Sequence, residues 1–405
     1  WGGEAITTAM RGPIALASVH ILTLGFIAMA VMGALAQMVP VVLGTAIASE
    51  QALRVSHGLT ALGTVALVAG FGARESLALI AGGGLAFAGL VLFVAVMGLT
   101  VSRVKKWEMT AATIAMALGF LALGGLLGLL SILNMRLGFS SLLYGAMPVH
   151  VHLLVGGWLT LLTAGVSYKL LPMFTLAYGH PPKTARWVVG LLASGSALWL
   201  PVLVWPGLWP LPGALLAVGA SLYAWDAYRL VGRRKKKKLD TGLSLAVMGL
   251  GLLPVLATVG LAAGLGVPGA AAAYGFLLLG GWVTWTLIGY LYKIIPFIVW
   301  YHRFGQAQGP GPRPLAGDLV DARMAKAAQA LLGLGVPAGA LGLGLQLAPV
   351  FTAGAALAAV GATFAAADLL ASPYRKGDPA WSRSSGKPSR TSSTPSSGST
   401  SSISA

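Results

Sequence analysis

Apolar residues run along this chain in long blocks, not with the three-to-four-residue period of a helix lying on a soluble core. The blocks lie near 13–44, 54–73, 76–101, 109–134, 148–176, 186–205, 208–232, 241–266, 271–300, 324–346 and 349–371. A helix needs about 20 apolar residues to cross the core of a bilayer, and each block is close to or beyond that length. The pattern predicts an all-α fold, a polytopic transmembrane helical bundle of about 11–12 spans. Gly and Ala are dense in most blocks, as suits membrane helices whose backbones approach closely. The pattern stops near 375. Residues 376–405 are rich in Ser and Thr, cannot bury a core, and predict a disordered tail.

Composition narrows the class. Only 9% of the 405 residues are charged, against about 25% in ordinary soluble domains, so no soluble catalytic domain is expected. The chain has no cysteine. That excludes disulfides, thiolate metal sites, cysteine-held iron–sulfur clusters and covalent haem attachment, and leaves haem held by histidine open. The net charge of +17 raises nucleic acid as a partner, but the positive residues sit in short loops between spans, where topology places them. Arg54 follows the first block and Arg103, Lys105 and Lys106 the third. Lys183 and Arg186 follow the fifth, Arg229 and the run from Arg233 to Lys238 the seventh, and Arg303, Arg313 and Arg323 the ninth. The alternate loops hold Arg74, Arg136 or no basic residue. By the positive-inside rule the odd-numbered loops and the C-terminus are cytoplasmic, and the inner membrane of a prokaryote is the expected location. The basic run at 233–238 reads as a topology anchor that also touches anionic lipid.

Three blocks share one template. HILTLGFIAMAVMGALAQMVP runs from His20 to Pro40, HLLVGGWLTLLTAGVSYKLLP from His152 to Pro172, and FLLLGGWVTWTLIGYLYKIIP from Phe276 to Pro296. They match without a gap: Gly25 with Gly157 and Gly281, Gly33 with Gly165 and Gly289, and the three prolines. Tyr168-Lys169 matches Tyr292-Lys293. The copies lie four helices apart, so the domain at 1–375 divides into units near 13–134, 148–266 and 271–371. Three pseudo-symmetric four-helix repeats follow, with the template helices innermost and a twelfth helix expected before Trp1. The glycines serve either helix packing or the close approach of a flat cofactor.

Six histidines remain. His20 and His152 share a template position that Phe276 takes in the third copy. His150 precedes His152 by two residues, so on a helix the pair point about 200° apart. An ionisable residue within a span marks a functional site by default, and imidazole is an axial ligand of haem iron. His20, His150 and His152 are therefore the candidate cofactor ligands; the other reading is hydrogen-bonded structural histidines. His57, His180 and His302 fall at helix ends or loops on the basic side and read as structural. Thr160, Thr163 and Ser167 lie below His152 and suit either a proton path or bonds to their own backbone. Asp226, three residues before Arg229, and Asp368 lie near span ends, which argues against a carboxylate-driven pump.

At these positions the chain resembles the haem–copper oxidase superfamily, most closely the large subunits of cbb3-type cytochrome oxidases and nitric oxide reductases. His20 with Gly33-Ala34 and Val39-Pro40 looks like that family's early haem-ligating helix. His150-Val151-His152 with Gly157 looks like its His-x-His helix. The three-unit architecture is also similar. The resemblance implies haem b on His20 with His150 or His152, the remaining histidine meeting a second haem, and respiratory-complex subunits or a cytochrome as partners. The chain has no adjacent His-His pair and no tyrosine-linked copper ligand motif, so copper is not expected. The catalytic residues are unknown, and any enzyme activity would be of the oxidoreductase kind. The function implied is electron transfer, response to NO or O2, or respiratory assembly. A small-solute or metal transporter on the same repeat, and a cofactor-free assembly subunit, are the alternatives.

Overall fold

The computed structural model describes residues 12–177, 182–235, 238–305 and 314–375. Among them are eleven helices long and apolar enough to cross a membrane, and no strand. They are α1 Pro13–Leu43, α2 Glu50–Ala73, α3 Ser76–Ser102, α4 Met109–Leu137, α5 Met147–Thr175, α6 Ala185–Val202, α7 Pro206–Gly232, α8 Thr241–Gly264, α9 Ala270–Gly305, α10 Ala322–Gly344 and α11 Ala348–Tyr374. The chain is an all-α polytopic membrane bundle. The tail at 376–405 and His180 lie outside the described residues.

Local chemistry moves some ends away from the apolar pattern. Ser49 caps α2 by accepting from the Ala52 amide at 3.2 Å, so α2 starts four residues before the block at 54 and Arg54 sits inside a helix. Asp321 caps α10 by accepting from the Arg323 and Met324 amides. Those two amides hold its carboxyl below the usual range. α9 runs on to Gly305, five residues past its block, and carries Tyr301, His302 and Arg303 in its last turn.

The repeat is visible in backbone shape. Each template helix widens from α to π geometry near the start of its template: Ile21–Ala28 in α1, His152–Thr160 in α5 and Leu277–Val283 in α9, with a further π turn at Tyr301–Gly305 at the end of α9. The three template stretches begin at the first template position or the residue after it. Single π turns are rare and gather at functional sites. Four residues past the template proline, Gly44 and Leu176 turn left-handed at φ 64° and 55° and end α1 and α5. A leucine there costs about 1–2 kcal/mol. In α9 the equivalent Trp300 stays helical.

Packing repeats as well. A side chain at Gly157 would meet the Phe120 ring of α4, and one at Gly281 would meet Leu252 of α8. Gly165 lies against Thr113 of α4, and Gly289 against the Gly242 and Ala246 backbone of α8. Lys169 pairs with Glu108 at the head of α4 (3.7 Å) and donates to the Val42 carbonyl (2.6 Å). Lys293 pairs with Asp240 at the head of α8. The template glycines and lysines thus clamp each inner helix to the helix before it.

The expectation that all three template helices lie innermost needs one correction. The most apolar windows of α5 and α9 are each 61% buried, against 17% for that of α1. The physical reason is that, among the described residues, the glycine face of α1 has no such neighbour. Gly33 meets nothing within 4 Å, and Gly25 only a Thr64 methyl at 3.8 Å.

At the far end of the bundle Asp368 is fully buried and ion-paired with Arg375. It also accepts from the Asp321 amide at 2.9 Å. Removing one partner of a buried pair strands a charge and costs about 3–5 kcal/mol. Arg375→Met should therefore lower the thermal midpoint in detergent, and adding Asp368→Asn should restore most of the loss.

Candidate functional site

The three candidate histidines sit at the end of the bundle opposite the basic loops. His20 is in the second turn of α1, where the apolar run carries an imidazole into the packed end. Its Nδ1 lies 2.7 Å from the Leu16 carbonyl. A carbonyl only accepts, so Nδ1 carries the proton and Nε2 keeps its lone pair. The ring stacks on Phe71 of α2, with centroids 5.2 Å apart and planes at 29°.

His150 faces α4 in place of its own preceding turn. Its Nδ1 donates to the Gly124 carbonyl at 2.8 Å, which again leaves Nε2 as the free nitrogen. Gly128 makes the room: a Cβ there would sit 2.8 Å from the ring. Among the described residues, Nε2 of His20 and of His150 has no hydrogen-bond partner.

His152 points away from His150, as the two-residue offset predicts. It lies in an aromatic slot. Trp199 of α6 stacks on it with centroids 3.8 Å apart at 10°, and Tyr274 of α9 lies 5.9 Å away at 20°. Nδ1 donates to the Pro148 carbonyl at 2.7 Å, and Nε2 accepts from the Tyr274 hydroxyl at 3.1 Å. Its coordinating nitrogen is already used. The imidazoles left with an unbonded Nε2 among these three are those of His20 and His150.

The remaining histidines keep bland surroundings. His57 donates to the Leu53 carbonyl at 2.8 Å and meets the Phe93 ring edge-on. His302 lies at the exposed end of α9 beside Tyr301. Among the described residues, no three His, Asp or Glu side chains gather as a metal cage.

Below the histidines a polar seam joins the template helices. Trp282 Nε1 donates to Thr160 at 2.9 Å. Ser167 bonds Tyr290 at 2.5 Å and accepts from Tyr223 at 2.8 Å. Tyr168 and Thr184 both donate to Asp226, at 2.8 Å and at 2.7–2.8 Å. Asp226 is 1% exposed, and two donors answer for its burial, the Thr184 proton being shared between both carboxylate oxygens. Arg229 turns outward over the Trp225 ring instead. Thr160 and Ser167 are thus bonded between helices, not to their own backbone. The sequence singled out Thr160 and Ser167 below His152 and Asp226 near a span end, but gave no sign of Tyr223, Tyr290 or Trp282, because the template aligns positions without saying which side chains meet.

Comparison with protein-family models and with curated proteins returns no match.

Proposed function

We propose that this chain is a haem-binding integral membrane protein of oxidase-like architecture that takes one haem b between His20 and His150 and serves electron transfer. The observation that supports it is the pair of imidazoles at one end of the bundle. Each is fixed through Nδ1 to a backbone carbonyl, and each presents a free Nε2. Hydrogen bonds from the other ring nitrogen orient and strengthen metal-binding histidines. The donor set fits haem iron: two neutral nitrogens, with no thiolate and no carboxylate. Haem would supply one-electron redox chemistry. With His20 and His150 both holding the iron, no site would be left open for a gas, which favours electron transfer over NO or O2 chemistry. The cofactor end would face the outer side, with the basic loops cytoplasmic, so a respiratory-complex subunit or cytochrome would meet it there.

The test is a pyridine haemochrome assay on protein purified from haem-replete cells. About one haem per chain is expected, with the spectrum of a low-spin, doubly ligated iron. His20→Ala should abolish it. A colourless wild-type protein would sink the proposal.

A further inference from the structure

A cleft of about 230 Å³ opens beside His20, between α1, α2, α3 and α4. Its floor is apolar, with Leu16, Phe71 and Ile132; Arg74, Arg136 and Ser76 also line it. The two arginines are out of place by topology. They sit at the end of the bundle where basic residues are scarce, and the other loops there, at 203–205, 265–269 and 345–347, hold no charge. Among the described residues neither guanidinium has an ion pair or hydrogen-bond partner.

Arg74 is also held in an unfavourable backbone. It ends α2 at φ 58°, a position that glycine usually takes. The Arg74 and Glu75 amides close the helix on the Phe71 and Gly70 carbonyls, so the turn alone does not call for an arginine. A glycine would close it without strain.

We infer that this cleft seats the phosphate of an anionic phospholipid, gripped by Arg74 and Arg136 with Ser76 as a further donor, its acyl chains leaving over the apolar floor. Guanidinium is the cation best matched to phosphate oxygens, through paired N–H bonds. A chain that is already in a membrane meets phospholipid at this depth. The site stands independently of haem at His20 and His150.

The test uses the full chain purified in detergent with phosphatidylglycerol and phosphatidylcholine, and retained lipid is read by native mass spectrometry. The wild type should hold one phosphatidylglycerol in preference to phosphatidylcholine by about thirtyfold, from roughly fivefold for each of the two basic residues at a charged headgroup. Arg74→Gly with Arg136→Gln should remove that preference. Arg74→Gly suits the left-handed backbone, so this variant keeps the fold. Lys105→Gln with Lys106→Gln, at the other end, should leave the preference intact. An unchanged preference in the Arg74→Gly/Arg136→Gln protein overturns the inference. So does an equal loss in the lysine variant. Loss of haem from the arginine variant with its lipid preference intact would assign the arginines to the cofactor and also overturn it.

Discussion

His150→Ala protein should purify without haem, whereas His152→Phe should keep its full complement. The two histidines are two residues apart and both half-buried, so sequence distance and exposure do not separate them. Their nitrogens do. His150 spends Nδ1 on Gly124 and leaves Nε2 free; His152 spends both, on Pro148 and Tyr274. Even outer-shell partners of a metal-binding histidine are worth 10–100-fold in affinity, so loss of the ligand itself should exceed about 100-fold. Phenylalanine at 152 keeps the stack on Trp199 and gives up both hydrogen bonds, at about 1–3 kcal/mol of stability. The ratio of haem absorbance to protein in each variant decides it. Haem lost from His152→Phe and kept in His150→Ala would mean that the iron sits on the other face of α5.

Gly289→Leu should prevent the bundle from assembling, while Gly33→Leu should be nearly silent. The residues hold the same template position. At Gly289 a Cβ would lie 2.6 Å from the Gly242 carbonyl oxygen and 2.7 Å from the Ala246 nitrogen. Both are backbone atoms, so α8 and α9 would have to separate. Overpacking a filled core costs about 1–3 kcal/mol when side chains can yield, and more when only backbone can. At Gly33 nothing lies within 4 Å, and α1 there offers a surface that tolerates a larger residue. Size-exclusion profiles and thermal midpoints in detergent measure both. Equal damage from the two substitutions would show that the α1 face is covered in the assembled protein.

The spans were legible in the sequence because bilayer thickness sets their length; the apolar blocks and the helices differ by a few residues, most at Ser49 and beyond Trp300. The repeat was legible too, because its glycines, lysines and prolines are chemically distinct. The π stretches were not. HLLVGGWLT and LLLGGWV are as apolar as the α-helical turns beside them, so composition carries no sign of the wider winding. The choice between His150 and His152 was hidden for another reason. It depends on Gly124, Trp199 and Tyr274, which come from three other helices and meet the histidines only after packing. Asp226 misled in the same way: Arg229 is its neighbour in sequence, but Tyr168 and Thr184 are its partners in space.

The widened stretches have a geometric consequence. An α-helix advances about 100° per residue; an i→i+5 winding advances by less. The two halves of each template helix are therefore out of phase with a uniform spiral, and a wheel drawn from Pro40 back to His20 puts the imidazole on the wrong bearing. All three copies take this phase slip at the same place, so they stay in step with one another although none is uniform. Each stretch takes up an extra residue in its wider turns, so deleting one residue inside it should let that copy wind as a plain α-helix with its upper half near its present bearing. The same deletion outside the stretch, below Gly33, would instead turn the upper half by about 100° and carry His20 off the Phe71 ring.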